Sequence, residues 1–341
     1  MGVTTASNPY LSALTLTEIS YISPFGKVLF VDGSNGSDSN NGSTWGAAYA
    51  TIQAAVTASS AGDTIYIAAK TITAGSTDPT DYAETIIIPA AKTSLSLIGV
   101  SRGRTQMGLP QINPGSGSTA LLTIRAGGCL IKNIGFNGVK SADGTQLLIG
   151  VLLDDDGSTK SACGTTIEGC HFKNCAGSNV LSSVTGGAIT WAATGGAWQV
   201  LIKGNRFYKN VCDVSLMGTS VSVPQDVVIE DNVFSGPSTT VDCNLFLKGG
   251  GSGMNGVIIR NNTFQQLPNL TSAINARYII ATGCVGMMVG NTFGCQTNGT
   301  GGTRMTFKVS GTAAEIPTTM HVAGNFGQTI HATESGEVSI V

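Results

Sequence analysis

The densest chemistry in the chain lies in three consecutive acids, Asp154, Asp155 and Asp156, which follow Val151-Leu152-Leu153 and precede Gly157. Two carboxylates about 5 to 9.5 Å apart can serve as acid and base in glycosidic cleavage, and clustered acids can also hold Ca2+. The plain alternative is a solvated turn at a strand end, where acidic runs commonly occur. A second acidic segment, Asp32 to Gly42, contains Asp38-x-Asn40-x-Gly42, loosely like a calcium loop; the twelfth position from Asp38 is Tyr49, where an EF-hand needs Glu. Asp32, Asp38 and Asn40 are thus calcium candidates, although turn chemistry explains the same residues without a metal. Trp191 and Trp198 flank Thr194-Gly195-Gly196-Ala197, where aromatic faces could stack on sugar rings; core or subunit packing is the competing role. The eight cysteines form no CxxC pair, and His171, His321 and His331 give them no zinc-like spacing. They read as small buried thiols.

These residues need a scaffold, and composition limits its kind. Only 11% of the 341 residues are charged and 46 are glycine, against roughly 25% and 7% in ordinary domains. A helical bundle would need more charged helix formers, a disordered chain would not be 41% hydrophobic, and collagen would need a strict glycine period. A β-rich chain with many turns is left. Its formal charge of −2 supplies no basic surface for a phosphate backbone, so nucleic acid is not an expected partner. No stretch of 18 uncharged apolar residues suggests a membrane span, and residues 1–27 show no export signal.

A repeat organises the chain. The pattern apolar-x-x-Asn-x-Phe occurs fully as Ile202 to Phe207, Ile229 to Phe234 and Ile259 to Phe264, and with a leading Met as Met288 to Phe293. Weaker copies are Ile131 to Phe136, with its Asn one place off at Asn133; Ile167 to Phe172, with Cys170 in the Asn position; and Val322 to Phe326, one residue short. The phenylalanines are 36, 35, 27, 30, 29 and 33 residues apart, as expected of a solenoid that keeps its strands and varies its loops. The reading is that the leading apolar residue and Phe point inward while Asn takes a left-handed turn conformation. Asn205, Asn232, Asn262, Asn291 and Asn325 would then form one ladder, and Phe207, Phe234, Phe264, Phe293 and Phe326 another, at the roughly 4.8 Å strand spacing.

The residue after the leading apolar one should face solvent. Down five coils it is Lys132, Glu168, Lys203, Glu230 and Arg260, alternating in sign as cross-strand pairing requires. Glu168 and Glu230 therefore read as structural ion-pair members. Thr64 to Ala68, Thr85 to Pro89 and Leu95 to Gly99 read as upstream strands. Ahead of them, residues 47–59 form the expected helix, with Ala48, Ile52, Ala55, Val56 and Ser59 on one face. A helix there would cap the open end of a solenoid.

The segment Val31 to Gly42, then Thr51-Ile52-Gln53-Ala54-Ala55-Val56 and Ala61 to Ile67, together with the Ile-x-x-Asn-x-Phe coils, resembles the pectin-lyase-like right-handed parallel β-helix superfamily over roughly residues 28 to 335. The resemblance implies an all-β right-handed solenoid with a short N-terminal capping helix, an arm at 1–27 and a single domain at 28–341. It leaves activity open, because that superfamily includes lyases, hydrolases, epimerases, adhesins and phage tailspikes. The Asn-Thr-Asp, Asp-Asp, Gly-His-Gly and Arg-Ile-Lys segments of polygalacturonase-like members do not occur as a set, nor does the Arg-x-Pro-x-x-Arg segment of pectate lyases.

The expected function is a non-enzymatic structural or attachment protein of a phage-like virion, closest in character to tailspikes, assembled in host cytosol as a homotrimer. Its arm would meet other virion or surface proteins, and a surface polysaccharide is the expected ligand. No cofactor is expected apart from the Ca2+ option. The alternatives are a polysaccharide lyase or glycoside hydrolase using Asp154, Asp155 or Asp156 with Lys160 or Lys132 nearby, and an extracellular adhesin or surface-layer component.

Overall fold

The computed structural model describes residues 26–70, 82–100, 108–115, 119–138, 148–157, 161–175, 179–180, 183–184, 186–192, 198–219, 222–235, 243–251, 253–265, 277–294 and 316–327. Residues 1–25, Arg102, Arg104, Lys160 and His331 lie outside them. Short β-branched and aromatic strands broken by glycine and asparagine cannot bury a face alone, so each coil stacks on the last. Three parallel sheets result, of ten, nine and seven strands among the described residues. A representative coil runs from Leu130–Lys132 in sheet A to Gly135–Asn137 in sheet B and Ile149–Leu153 in sheet C. It then returns to sheet A as Thr166–Glu168, beside its own start. Parallel crossovers wind right-handed, and the chain is a right-handed parallel β-helix.

Its interior follows the repeat. Ile131, Ile167, Ile202, Ile229, Ile259 and Met288 share one register column and are buried. Phe136, Phe172, Phe207, Phe234, Phe264 and Phe293 stack with centroids 4.7 to 5.1 Å apart and planes within 14°. Phe326 is a correction to the expected ladder. The missing residue in its coil pairs Phe326 with Thr292 and Gly327 with Phe293, so Phe326 faces outward and is 66% exposed.

The asparagine ladder is continuous from Asn205 to Asn325. Each Oδ1 accepts from the backbone N–H of the Asn one coil earlier at 2.9 to 3.0 Å. Each Nδ2 donates to a carbonyl of the preceding coil, as Asn262 does to Ile229 at 2.9 Å. A second correction concerns the turn: the left-handed residue precedes the ladder asparagine. Gly204, Asp231, Asn261, Gly290 and Gly324 carry φ of 55 to 68°, as do Asn133 and Gly169 at 54 and 63°. Glycine takes this conformation without strain; at Gly290 an added Cβ would lie 2.6 Å from Asn261 Oδ1 and displace that side chain.

Cys170 stands in for asparagine in this ladder. Its thiol donates to Ile131 O at 3.6 Å, receives a backbone hydrogen bond from Ile134, and its own N–H reaches Asn205 Oδ1 at 2.8 Å. At the next corner Cys175 repeats the pattern, with its thiol on Phe136 O and its N–H on Asn210 Oδ1. Cys129 and Cys284 likewise reach carbonyls one coil back. Burial pushes the thiols of Cys129, Cys170 and Cys284 up to about 12 and that of Cys175 upward too, which leaves them unreactive.

Outside sheet A the charge column pairs as expected. Lys132 meets Glu168 at 3.3 Å, Lys203 meets Glu230 at 3.0 Å, and Arg260 Nε meets Glu230 at 2.7 Å. Burial works against the Glu230 charge, but Lys203 and Arg260 outweigh it and hold the carboxyl below its ordinary value.

The helix is shorter than expected, spanning Ile52–Ala58 after a 3-10 turn at Trp45–Ala47. Ala48 is extended and Tyr49 bridges to Val31, so the chain is tied to sheet A until Thr51 caps the helix. Asp38 fixes that cap: its Oδ1 accepts from the N–H groups of Ala50 and Thr51 and its Oδ2 from Thr51 Oγ1, all at 2.9 Å. Glu84 then accepts from Ile52 and Gln53 N–H at 3.0 and 2.9 Å, placing a carboxylate at the positive helix end. Ile52, Ala55 and Val56 face the core.

Candidate functional site

The structure disperses the acids that sequence brought together. Asp154 Oδ2 pairs with Arg125 Nε at 2.9 Å, and Asp155, buried, accepts from Gly157 N–H at 2.7 Å in a tight turn. Asp156 is exposed. Lys132 is engaged with Glu168 on sheet A, away from the end of the sheet C strand that carries Asp154. Asp32 accepts from Ser34 and Asn35 N–H and Asn40 donates to Ala48 O. Together with Asp38, these side chains organise the loop ahead of the helix. Among the described residues no three His, Cys, Asp or Glu side chains are gathered around a possible metal position.

The two tryptophans part company. Trp191 is buried in the main core, which corrects its candidacy as a sugar platform, whereas Trp198 is 50% exposed with its indole N–H on Val223 O at 3.1 Å. Another buried group absent from sequence reasoning is Asp213, whose Oδ1 and Oδ2 accept from Asn210 and Asn244 at 2.8 and 2.7 Å. Burial raises its carboxyl to about 7, against the pull of the two amides.

The strongest candidate is on the outer face of sheet B. Gln111, Gly135 and His171 share one register position on three adjacent strands, with Arg206 next. Strand spacing puts the Cα atoms of Gln111 and His171 about 9.6 Å apart, with Gly135 between them. Asn113 lies two residues along from Gln111 on the same face, and Asn137, Lys173 and Tyr208 form the neighbouring row. Alternation dictates this placement, since Ile112, Phe136, Phe172 and Phe207 turn inward. Gly135 is buried between Gln111 and His171, and an added Cβ would make ordinary contact with Gln111 at 3.5 Å.

This face is buried yet unsatisfied. Gln111 is 1% exposed and neither end of its amide has a hydrogen-bond partner. Both atoms of one amide are thus left without a partner on this face. Each such atom costs roughly 1–3 kcal/mol. Native proteins keep few of them, usually where something else supplies the partner.

The signal was in the repeat: the outward position just before Phe reads Gly135, His171 and Arg206, then Val233, Thr263 and Thr292. These coils carry a glycine, a histidine and an arginine where later coils carry β-branched residues. Gln111 was out of reach because its coil lacks the motif.

No protein-family profile and no curated protein matches the chain. Solved structures similar in fold include a rhamnogalacturonan lyase (16% identity, 92% of this chain and 89% of that chain, TM-score 0.46). A lacto-N-biosidase from Eubacterium ramulus has 10% identity over 92% and 68% of the two chains, with a TM-score of 0.46. A pectate lyase has 14% identity over 92% and 77%, with a TM-score of 0.42.

Proposed function

We propose that this chain is an attachment protein: a rigid β-helix spacer that presents a glycan-recognising face. The Gln111 amide, held on the outer face of sheet B with neither end hydrogen-bonded, carries this reading, because a stable fold bears such a deficit where a partner completes it. The internal ladders make a stiff support, and a site on strands is better ordered than one on loops. The setting we propose is a phage-like virion, as a tailspike, fibre or capsid decoration protein. Thiols that serve as ladder donors need reducing conditions during folding, which suits assembly in host cytosol. Side-by-side trimers would cover the outward apolar row of Leu201, Val228, Ile258 and Met287 on sheet A.

The test is binding of the full chain to purified bacterial surface polysaccharides, with product analysis on the same samples. Retention of intact polysaccharide is expected. Release of reducing or unsaturated ends, lost on Asp155→Asn, would replace this reading with a hydrolase or lyase.

A further inference from the structure

We infer that the exposed indole of Trp198 and the notch beside it, at the corner that leads into sheet A, form a stacking site for one neutral sugar ring. This rests on the attachment reading and adds a second contact for the glycan. Backbone hydrogen bonds fix the rungs of that corner: Ser94 N–H donates to Gly127 O, Gly128 N–H to Cys163 O and Gly164 N–H to Trp198 O. Thr93-Ser94, Gly127-Gly128, Cys163-Gly164 and Trp198-Gln199 thus occupy successive coils, about 4.8 Å apart. At these positions two coils carry nothing larger than the Cys163 thiol, between Thr93-Ser94 on one side and Trp198-Gln199 on the other. The gap spans three coil spacings, about 14 Å between Cα atoms. Backbone geometry does not demand its glycines: Ser94 and Gln199 hold the same left-handed corner at φ of 57 and 59°, as Gly128 and Gly164 do at 72 and 68°. What the glycines leave is room. A Cβ added at Gly164 would meet, among the described residues, only Gly128 backbone at 3.7 and 3.8 Å.

The indole carries the argument. Its N–H donates to Val223 O at 3.1 Å, which fixes the ring while leaving the residue 50% exposed. The inner phenylalanines spend their faces on the rings of adjacent coils; Trp198 has no ring contact among the described residues, so its face is available. The surroundings select the ligand. Thr93, Ser94 and Gln199 are exposed and uncharged, and Ser94 Oγ, 3.1 Å from where a Gly128 Cβ would stand, offers a hydroxyl that both donates and accepts. A pyranose has a face of C–H groups and a rim of hydroxyls, which suits an aromatic wall set among hydroxyl and amide groups. A ring already held in place loses little freedom on binding.

Acrylamide quenching of tryptophan fluorescence in the full chain, with glucose, galactose, mannose or N-acetylglucosamine added, tests the site, because Trp191 is buried and Trp45 half-buried. At least one sugar is expected to protect the quenchable emission saturably. By saturation-transfer NMR its affinity should weaken about tenfold in Trp198→Ala and be largely kept in Trp198→Tyr, which preserves an aromatic face. Gly164→Gln gives the notch the residue that the next coil carries at the same corner, so it should abolish binding with an unchanged circular dichroism spectrum. Protection by none of the four sugars, or wild-type affinity in Trp198→Ala or Gly164→Gln, would overturn the inference. So would a Trp198→Ala chain that binds as before but sediments differently, which makes the indole a subunit contact. If the four sugars fail while purified surface polysaccharides are still retained, only this inference falls. If polysaccharides are cleaved or not retained, the attachment reading falls as well.

Discussion

Asn262 makes four side-chain hydrogen bonds across its two neighbouring coils, accepting from Asn232 N–H and Nδ2 and donating to Ile229 O and Asn291 Oδ1. Truncation to alanine leaves several of those groups buried and unpaired, so Asn262→Ala is expected to cost roughly 2–4 kcal/mol in urea denaturation. Cys170→Asn should hold stability within about 1 kcal/mol, because the amide reproduces both bonds of the thiol. The column was legible in sequence from spacing alone. The place of Cys170 in it was legible too; that its thiol takes over the hydrogen bond of an amide was not, since this depends on a weak S–H donor meeting a carbonyl 39 residues away in the chain. Asp213 gives a pH prediction. Its folded value, about 7, exceeds the ordinary 3.8, so the folded state holds a proton that the unfolded state releases between those limits. Stability contributed by this group is complete below about pH 4 and is lost as pH rises through 7. Melting temperature should therefore fall from pH 5 to pH 8, and Asp213→Asn should flatten that slope.

At the scale of elements, the helix shows how distant residues set a local boundary. Periodicity placed its face correctly at Ile52, Ala55 and Val56, yet its start moved from 47 to Ile52. The cause is Asp38 on Thr51 and Glu84 on the first helical N–H groups, partners that no local window contains. Glu84→Ala is expected to destabilise the cap by about 1–2 kcal/mol. Hydrogen exchange at Ile52–Ala58 should quicken ahead of the rest of the chain, while exchange in the ladder coils stays unchanged.

For the whole molecule, the class of fold was readable because a repeat multiplies a faint signal over several coils. The polar row on the outer face of sheet B was not, because it forms only when Gln111, Gly135 and His171, drawn from three coils, come into register. Two predictions belong here. Sedimentation equilibrium is expected to give three copies of the 34.7 kDa chain, and a monomer would count against the trimer. Chelation by EDTA should leave the melting temperature unmoved, since Asp38 spends both carboxylate oxygens on the loop and helix cap.

The two ends of the described solenoid are unlike: a helix seals the first coils, while the last leaves Phe326 turned to solvent. Because the helix covers the first coils while Phe326 is exposed, loss of order should start at the Phe326 end and travel toward the sealed end. Limited protease treatment would then yield a nested set of fragments sharing one amino terminus, shortened by one winding at a time.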